Sequence, residues 1–285
     1  MPPSANKMIS RSDLNFGFDE AIPRFWFGGD PFKTRYFDAF SIGVPSGERF
    51  FIECVRDYRD ATDDEELREQ MRVFILQEGQ HSLVHREYNE RLTRQGIDVA
   101  AIEAHLSAVW SFTRRFLPRR FGIALTAAFE HLTTIAAHGF FSGPEVYASA
   151  DHRVMAMYLW HGAEEIEHKS VAFDAMQKAA HVGYFLRVLA MIVALVSFSS
   201  AVTMTIDHML RADGFSLSRR LAMWISGPRW YYGRSGPFRP VTRHFLAYFL
   251  PGFHPRKHGG MDGYAKWREA FDSSGSPLAA AAAVR

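Results

Sequence analysis

Two short stretches decide the fold of this chain: QEGQH at residues 77–81 and EEIEH at residues 164–168. Each contains a glutamate followed three residues later by a histidine. Residues three apart share one face of an α-helix, so each stretch presents a carboxylate beside an imidazole. Carboxylate oxygen and imidazole nitrogen together suit iron or manganese. The stretches therefore predict two helices that hold two metal ions, through the pairs Glu78 with His81 and Glu165 with His168.

The sequence around these pairs predicts an all-α fold. Apolar residues recur at helical spacing between residues 46 and 178, and no alternating stretch is long enough to build a sheet. Glycines, prolines and an acidic run divide this region. The predicted main helices cover about residues 47–59, 62–95, 118–141 and 151–180, with a shorter helical piece at about 99–112.

A third carboxylate lies in the third main helix. Glu130 is the only acid between Glu103 and Glu145, and it lies in the apolar stretch LTAAFEHLTT. Burying an unpaired carboxylate costs several kcal/mol, so an acid here needs a cationic partner. We therefore predict that Glu130 is a metal ligand.

The first main helix offers two candidates for a fourth carboxylate, Glu48 and Glu53. If the first two helices form an antiparallel hairpin about a turn near Thr62, Glu48 lies level with Glu78. Glu53 is about 140° round the helix from Glu48 and faces elsewhere. The geometry favours Glu48.

The order single Glu, Glu-x-x-His, single Glu, Glu-x-x-His resembles the ferritin-like non-haem di-iron carboxylate proteins over residues 46–178. The resemblance implies a ferritin-like four-helix bundle that binds two iron ions, with manganese as the alternative metal. His161 precedes Glu165 by four residues, and the run His-x3-Glu-x2-His resembles the last helix of the di-iron arylamine N-oxygenases. This second resemblance implies that His161 is a seventh ligand, and the alternative is a hydrogen-bonding partner of a ligand.

Three further segments resemble a bacterial family described as predicted metal-dependent hydrolases. They are IPRFWFGGDPF at residues 22–32, GERFFIECVRDY at residues 47–58 and PGFHPRKH at residues 251–258. This resemblance spans nearly the whole chain.

Several other polar residues near the predicted ligands have different expected roles. Glu164 is an alternative to Glu165 as a ligand, whereas Glu167 points away and is expected to be solvated. His85 is expected to support a ligand or the fold, and His131 and His138 are expected to be packing or outer residues.

The ligand pattern favours oxygen activation over hydrolysis. We therefore predict a non-haem dinuclear-iron oxygenase or oxidase that uses O2 to oxidise an apolar or amine-bearing small molecule or lipid. The sequence has no flavin or nicotinamide motif, so an external electron donor such as a ferredoxin or a reductase is expected. One alternative is a metal-dependent hydrolase at the same site, and another is a non-catalytic, membrane-associated metal-binding bundle. No catalytic group beyond the metal ligands is identified.

Composition predicts a cytoplasmic protein with a large core. The chain is 47% hydrophobic and 22% charged, and its single cysteine, Cys54, excludes an intrachain disulfide. The N-terminus lacks the apolar segment of a secretory signal. Cys54 is expected to be a small buried hydrophobe.

A lipid contact is suggested by two features of the C-terminal third. Residues 188–206 carry no charge, and residues 211–258 combine aromatic side chains with a net charge of +8. We expect the uncharged segment to pack on the bundle or to dip into one leaflet, and the protein to lie peripherally on the inner face of the membrane. A solvated basic cap is an equal alternative for the tail. Without a recognition motif, no nucleic-acid partner is expected, and a homodimer is compatible with the sequence.

These features predict four regions. They are an N-terminal extension packing on the bundle at 1–45, a dimetal four-helix bundle at 46–180, a hydrophobic helix with a basic, aromatic region at 181–272, and a flexible tail at 273–285.

Overall fold

The structure, a computed structural model, describes residues 8–233, 236, 241–257 and 262–284. Within those ranges the regular structure is helical, apart from one isolated bridge between Phe27 and Ala150, and the predicted all-α class is confirmed. Residues 1–7 of the predicted extension, residues 234, 235, 237–240 and 258–261 of the predicted C-terminal region, and residue 285 lie outside the described part.

Eleven α-helices are described in these ranges. They are α1 (Pro31–Arg59), α2 (Glu65–Arg94), α3 (Val99–Phe116), α4 (Arg119–Ser142), α5 (His152–His168), α6 (Val171–Asp174), α7 (Tyr184–Ala212), α8 (Leu217–Tyr232), α9 (Thr242–Ala247), α10 (Asp262–Ser274) and α11 (Pro277–Ala282).

Local chemistry determines both ends of α2. The Asp64 side chain accepts a hydrogen bond from the backbone N–H of Leu67, and Glu65 and Glu66 place negative charge at the positive end of the helix. The helix stops before Gly96, whose φ of +88° is left-handed and favours glycine.

Helix α1 begins sixteen residues before the predicted start at about residue 47, so the boundary predicted between residues 45 and 46 lies inside it. Asp30 caps the helix by accepting from the N–H of Lys33, and Pro31 occupies the first turn. Pro45 lies in the interior, where it cannot donate to the carbonyl of Ser41. Asn89 of α2 donates to that carbonyl instead, at 3.0 Å, and this contact compensates for the missing helical hydrogen bond.

The predicted helix at 151–180 is wrong in its second half. Helix α5 ends at His168, a turn at Lys169 and Ser170 follows, and the chain continues through α6 and one π-helical turn at Ala175–Ala179. Arg256, from a distant segment, donates to Ser170 Oγ and to the Asp174 carboxylate and fixes this irregular region.

Helices α1, α2, α4 and α5 surround the buried glutamates and histidines, and α3 packs on α1. Helix α11 packs on α5 and buries Ala280 and Ala281, so the predicted flexible tail at 273–285 is wrong over these residues. Ser276 caps this helix and Pro277 occupies its first turn, but the low-complexity sequence does not indicate a helix here.

Helix α7 lies against α1 and α4 by one face only. Ala190, Met191 and Ala194 are fully buried, whereas Phe185 is 85% exposed. By length and composition α7 could cross a membrane, and 22% of the residues in its most apolar window are buried within the protein.

Candidate metal centre

Seven buried side chains form two adjoining clusters in the middle of the bundle. Within each cluster the nearest nitrogen or oxygen atoms lie within 4.8 Å of one another. The first cluster contains Glu48, His81 and His161, and the second contains Glu78, Glu130, Glu165 and His168. The structure thus brings together all seven residues that the sequence predicts as ligands, and metal binding by them stays a prediction.

Helices α1 and α2 supply the contacts that join the clusters. His81 Nδ1 lies 3.5 Å from Glu48 Oε1 and 3.6 Å from Glu78 Oε2. Glu53, the rejected candidate on α1, is partly exposed and pairs with Arg114 at 3.4 Å. The antiparallel register therefore turns Glu48 inward and Glu53 outward.

Helices α4 and α5 complete the second cluster. His168 Nδ1 lies 3.3 Å from both Glu78 Oε1 and Glu130 Oε2, and its Nε2 lies 3.8 Å from Glu165 Oε1. His161 Nε2 lies 3.1 Å from the same oxygen of Glu165 and 3.8 Å from Glu48 Oε1.

The hydrogen bonding of these side chains fits metal ions. Both carboxylate oxygens of Glu78 and Glu130, and both ring nitrogens of His81 and His168, are buried without a hydrogen-bond partner in the described part of the chain. Buried polar atoms in folded proteins are rarely left unpaired. Apart from His81 Nε2, which lies 3.2 Å from Glu164 Oε2, these oxygen and nitrogen atoms have the donor chemistry of a site for hard or borderline cations.

The electrostatics indicate the same need for cations. Burial raises the pKa of Glu48 and Glu78 to about 7, and it raises that of Glu130 well above its usual value. Burial also opposes ionisation of Glu165, but His168 and His161 hold its pKa at about 2. Without added positive charge most of these carboxyls take up protons, and divalent ions would supply the charge that keeps them ionised.

Neighbouring side chains hold several of the seven residues in place. Ser82 donates to Glu48 Oε2 at 2.9 Å, and Thr133 donates to Glu165 Oε2. His85 Nε2 lies 3.0 Å from His161 Nδ1, and its own Nδ1 hydrogen-bonds Ser41 Oγ at 2.8 Å. His85 therefore orients the His161 ring, which leaves His161 Nε2 facing the clusters.

Glu167 is buried, so the expectation that it is solvated is wrong. Its carboxylate accepts hydrogen bonds from Arg11, Arg268 and Tyr264. Arg11 also pairs at 2.9 Å with Glu164. No local signal on α5 reveals this network, because its arginines come from opposite ends of the chain.

Glu164, the alternative to Glu165 as a predicted ligand, lies beside the two clusters and belongs to neither. Its Oε1 accepts from Arg11 and Trp160, and its Oε2 lies 3.2 Å from His81 Nε2. It therefore faces the side of the His81 ring opposite to Glu48 and Glu78.

The remaining candidates lie elsewhere. His131 donates from Nε2 to the carbonyl of His244 at 3.0 Å, and the His138 ring centroid lies 5.1 Å from that of His244. Cys54 is buried, as expected of a small hydrophobe, and packs against Gly122.

An apolar cavity of about 580 Å³ adjoins the clusters. Glu48, His161 and Glu165 form one end of it, and α1, α3, α4 and α7 form its walls. Within the part of the chain that the structure describes, none of its lining residues is a lysine or an arginine. Local periodicity does not predict this cavity, because the cavity depends on the distance between α3 and α7, which are far apart in the sequence.

A family model with the description "predicted metal-dependent hydrolase" matches residues 10–259. No curated protein and no solved structure matches the chain. The match overturns the predicted dinuclear-iron oxygenase or oxidase and favours the hydrolase alternative. The error has a physical cause: carboxylate and imidazole ligands serve redox and hydrolytic metals equally, so their spacing does not separate the two chemistries.

Proposed function

This chain belongs to the family of predicted metal-dependent hydrolases, whose model matches residues 10–259, and from that premise we propose that it hydrolyses an ester or amide bond of an apolar small molecule or lipid. The supporting observation is the placement of Glu48, His161 and Glu165, which belong to the buried clusters and also line the apolar cavity. A group that enters the cavity therefore meets the proposed metal ligands. Small-molecule sites combine such an apolar wall with a few convergent polar groups.

The seven clustered residues would hold two divalent ions, and we propose iron or manganese. Four carboxylates offset the charge of two such ions, and oxygen with imidazole nitrogen suits these metals. When bound, the ions would lower the pKa of water and polarise the scissile carbonyl group.

The chain's own residues bind and orient the substrate. Phe51, Phe129 and Phe198 line the cavity and exclude water from the apolar part of the substrate. Ser82 and Thr133 fix the Glu48 and Glu165 carboxylates at the inner end. The scissile group is thereby held where the metal ligands converge.

The lining of the cavity favours a carboxylic ester or amide over a phosphate ester. A phosphate carries negative charge and is usually recognised by arginine, lysine or a helix N-terminus. The lining residues that the structure describes include neither lysine nor arginine. The cavity also argues against the non-catalytic bundle, since metal storage does not need a large apolar chamber beside the ligands.

The test measures metal content per chain and hydrolysis of a series of p-nitrophenyl esters and anilides. We expect two first-row metal ions per chain and an activity that chelation removes. Glu48→Gln is expected to lose metal and activity, whereas Glu53→Gln, on the same helix but facing outward, is expected to keep both.

Metal-free protein after growth with each metal, or equal losses in the two variants, would contradict the proposed centre. A stoichiometric metal content without turnover of any ester or amide would contradict the hydrolase function alone.

A further inference from the structure

Two helices present apolar faces to solvent on either side of the cavity. We call them together the α3–α7 face, formed by Val109, Phe112 and Phe116 of α3 and by Phe185, Leu189, Ile192, Val196 and Met204 of α7. Each of these side chains is between 45% and 85% exposed. All but Met204 recur every three or four residues, so they form a stripe along one side of each helix, and Met204 lies about 80° round α7 from Val196. Contiguous exposed apolar patches commonly mark an interaction site.

The cavity reaches this face. Val109 and Met204 belong both to the cavity lining and to the exposed side chains, and the exposed His105 and His208 also line the cavity. The buried residues Glu48, His161 and Glu165 line the same cavity. A continuous apolar path therefore leads from the α3–α7 face to the proposed metal ligands.

Positive charge borders the face. Residues 104–129 contain four arginines and no acid, and residues 184–206 contain no acid. Arg115, Arg119 and Arg120 are exposed beside Phe116. Arg120 donates to the carbonyl of His181, so this basic corner lies next to the start of α7.

Apolar side chains bordered by arginine match the interface of an anionic lipid leaflet. We propose that the α3–α7 face docks on an anionic membrane, and that the substrate is a long-chain amphiphile whose hydrocarbon chain passes from the bilayer into the cavity. The hydrolysis of this amphiphile rests on the proposed function. The choice of a long-chain substrate rests on the cavity and on the α3–α7 face.

Helix α7 lies along the leaflet in this arrangement and does not cross it. Its inner face, with Ala190, Met191 and Ala194, is packed against the bundle, so lipid cannot surround the helix. The outer stripe and the basic corner are then the parts available to lipid. Binding is therefore peripheral and should weaken as salt screens the arginines.

A glycine in the cavity wall allows the path to be closed. Gly43 of α1 lines the cavity, and a Cβ atom added there meets no atom of the described residues within 4 Å. A leucine at this position would project into the space proposed for the hydrocarbon chain. A Cβ atom added at Gly79 of α2 also meets no described atom within 4 Å, but Gly79 is not among the described lining residues, so Gly79→Leu is the matched control.

The membrane test uses the full-length, metal-loaded protein and sedimentation with vesicles. We expect binding to vesicles of phosphatidylcholine mixed with phosphatidylglycerol, and weak binding to phosphatidylcholine alone. Phe112→Glu and Phe185→Glu should each weaken binding about tenfold or more. Leu83→Glu, on α2 and 56% exposed, should leave it unchanged. Equal binding by all variants, or no binding to anionic vesicles, would overturn the docking proposal.

The substrate test measures displacement of cis-parinaric acid by palmitic acid, a readout that requires no turnover. Gly43→Leu should reduce affinity for both fatty acids about tenfold or more, and should reduce hydrolysis of long-chain esters while sparing acetate esters. Gly79→Leu should behave as the unchanged protein.

These readouts separate the two proposals. Unchanged fatty-acid affinity in Gly43→Leu, or activity confined to short soluble esters, would overturn the long-chain substrate while leaving the hydrolase in place. Fatty-acid and vesicle binding by a protein that hydrolyses no ester or amide would support the binding face and contradict the proposed function.

Discussion

Glu130 gives the sharpest residue-level test of the metal centre. Both of its carboxylate oxygens are buried without a hydrogen-bond partner in the described part of the chain, and its pKa is raised by burial and by Glu165. Without metal, this acid destabilises the fold, because a buried unpaired carboxyl costs several kcal/mol. With metal bound, the same group becomes a stabilising ligand.

Glu130→Gln is therefore expected to shift stability in opposite directions under two conditions. In chelator the variant should be more stable than the unchanged protein by about 1–2 kcal/mol, because the buried acid is gone. With metal it should be less stable, because binding to the folded state is weakened. Urea unfolding under both conditions measures the effect, and a shift of the same sign in both would refute the metal role of Glu130.

His85 acts on the centre through His161. The structure places His85 Nε2 3.0 Å from His161 Nδ1, and Ser41 holds the other side of the His85 ring. Loss of such an orienting partner weakens metal binding by about tenfold to a hundredfold. We expect this loss for His85→Ala in a competition titration with a coloured chelator, and no change for His105→Ala at the exposed cavity opening. An unchanged affinity in His85→Ala would mean that the ring of His161 needs no support.

The predictable part of the site is the part that helical geometry encodes. Glu78 with His81, and Glu165 with His168, follow from a spacing of three residues, and Glu130 is conspicuous in its apolar setting. The environment of Glu167 could not be predicted, because Arg11 and Arg268 reach it from distant parts of the chain. Local spacing carries no information about such partners.

At the scale of helices, the sequence predicts those ends that neighbouring residues determine. Asp64 starts α2 and Gly96 ends it, and both effects act within one turn. The start of α1 and the end of α5 do not follow from the local sequence. A proline inside α1 is tolerated through Asn89 of another helix, and the turn after α5 is fixed by Arg256.

Helix α7 allows a test of its one-sided packing. Ala194 is fully buried, whereas Val196, two residues later, is 59% exposed. Ala194→Leu should destabilise the protein by about 1–3 kcal/mol through overpacking. Val196→Leu should change stability by less than about 0.5 kcal/mol. Chemical denaturation measures both, and equal effects would mean that α7 does not rest on α1 and α4 as described.

At the scale of the whole molecule, Arg11 connects the N-terminal segment to α5 and to α10. Its guanidinium pairs with Glu164 and Glu167 and lies 5.5 Å from the ring centroid of Trp267. Both acids have fully buried side chains, and Glu167 keeps Arg268 at 2.7 Å, so removing Arg11 leaves Glu164 without its guanidinium partner.

Arg11→Met is expected to destabilise the protein by about 3 kcal/mol or more, since breaking a buried ion pair from one side leaves an uncompensated charge. Arg59→Met removes an exposed pair with Asp60 and should leave stability almost unchanged. Thermal and urea unfolding test both variants. Similar small losses in the two would show that Glu164 and Glu167 do not need Arg11.

The proline inside α1 also has a consequence for the order of folding. The segments before and after Pro45 can each begin as a helix, but the carbonyl of Ser41 gains its partner only when Asn89 of α2 arrives. The two halves of α1 therefore form one continuous helix only after α1 and α2 have paired. If that closure follows the rate-limiting barrier, Asn89→Ala will mainly accelerate unfolding and will leave the refolding rate almost unchanged.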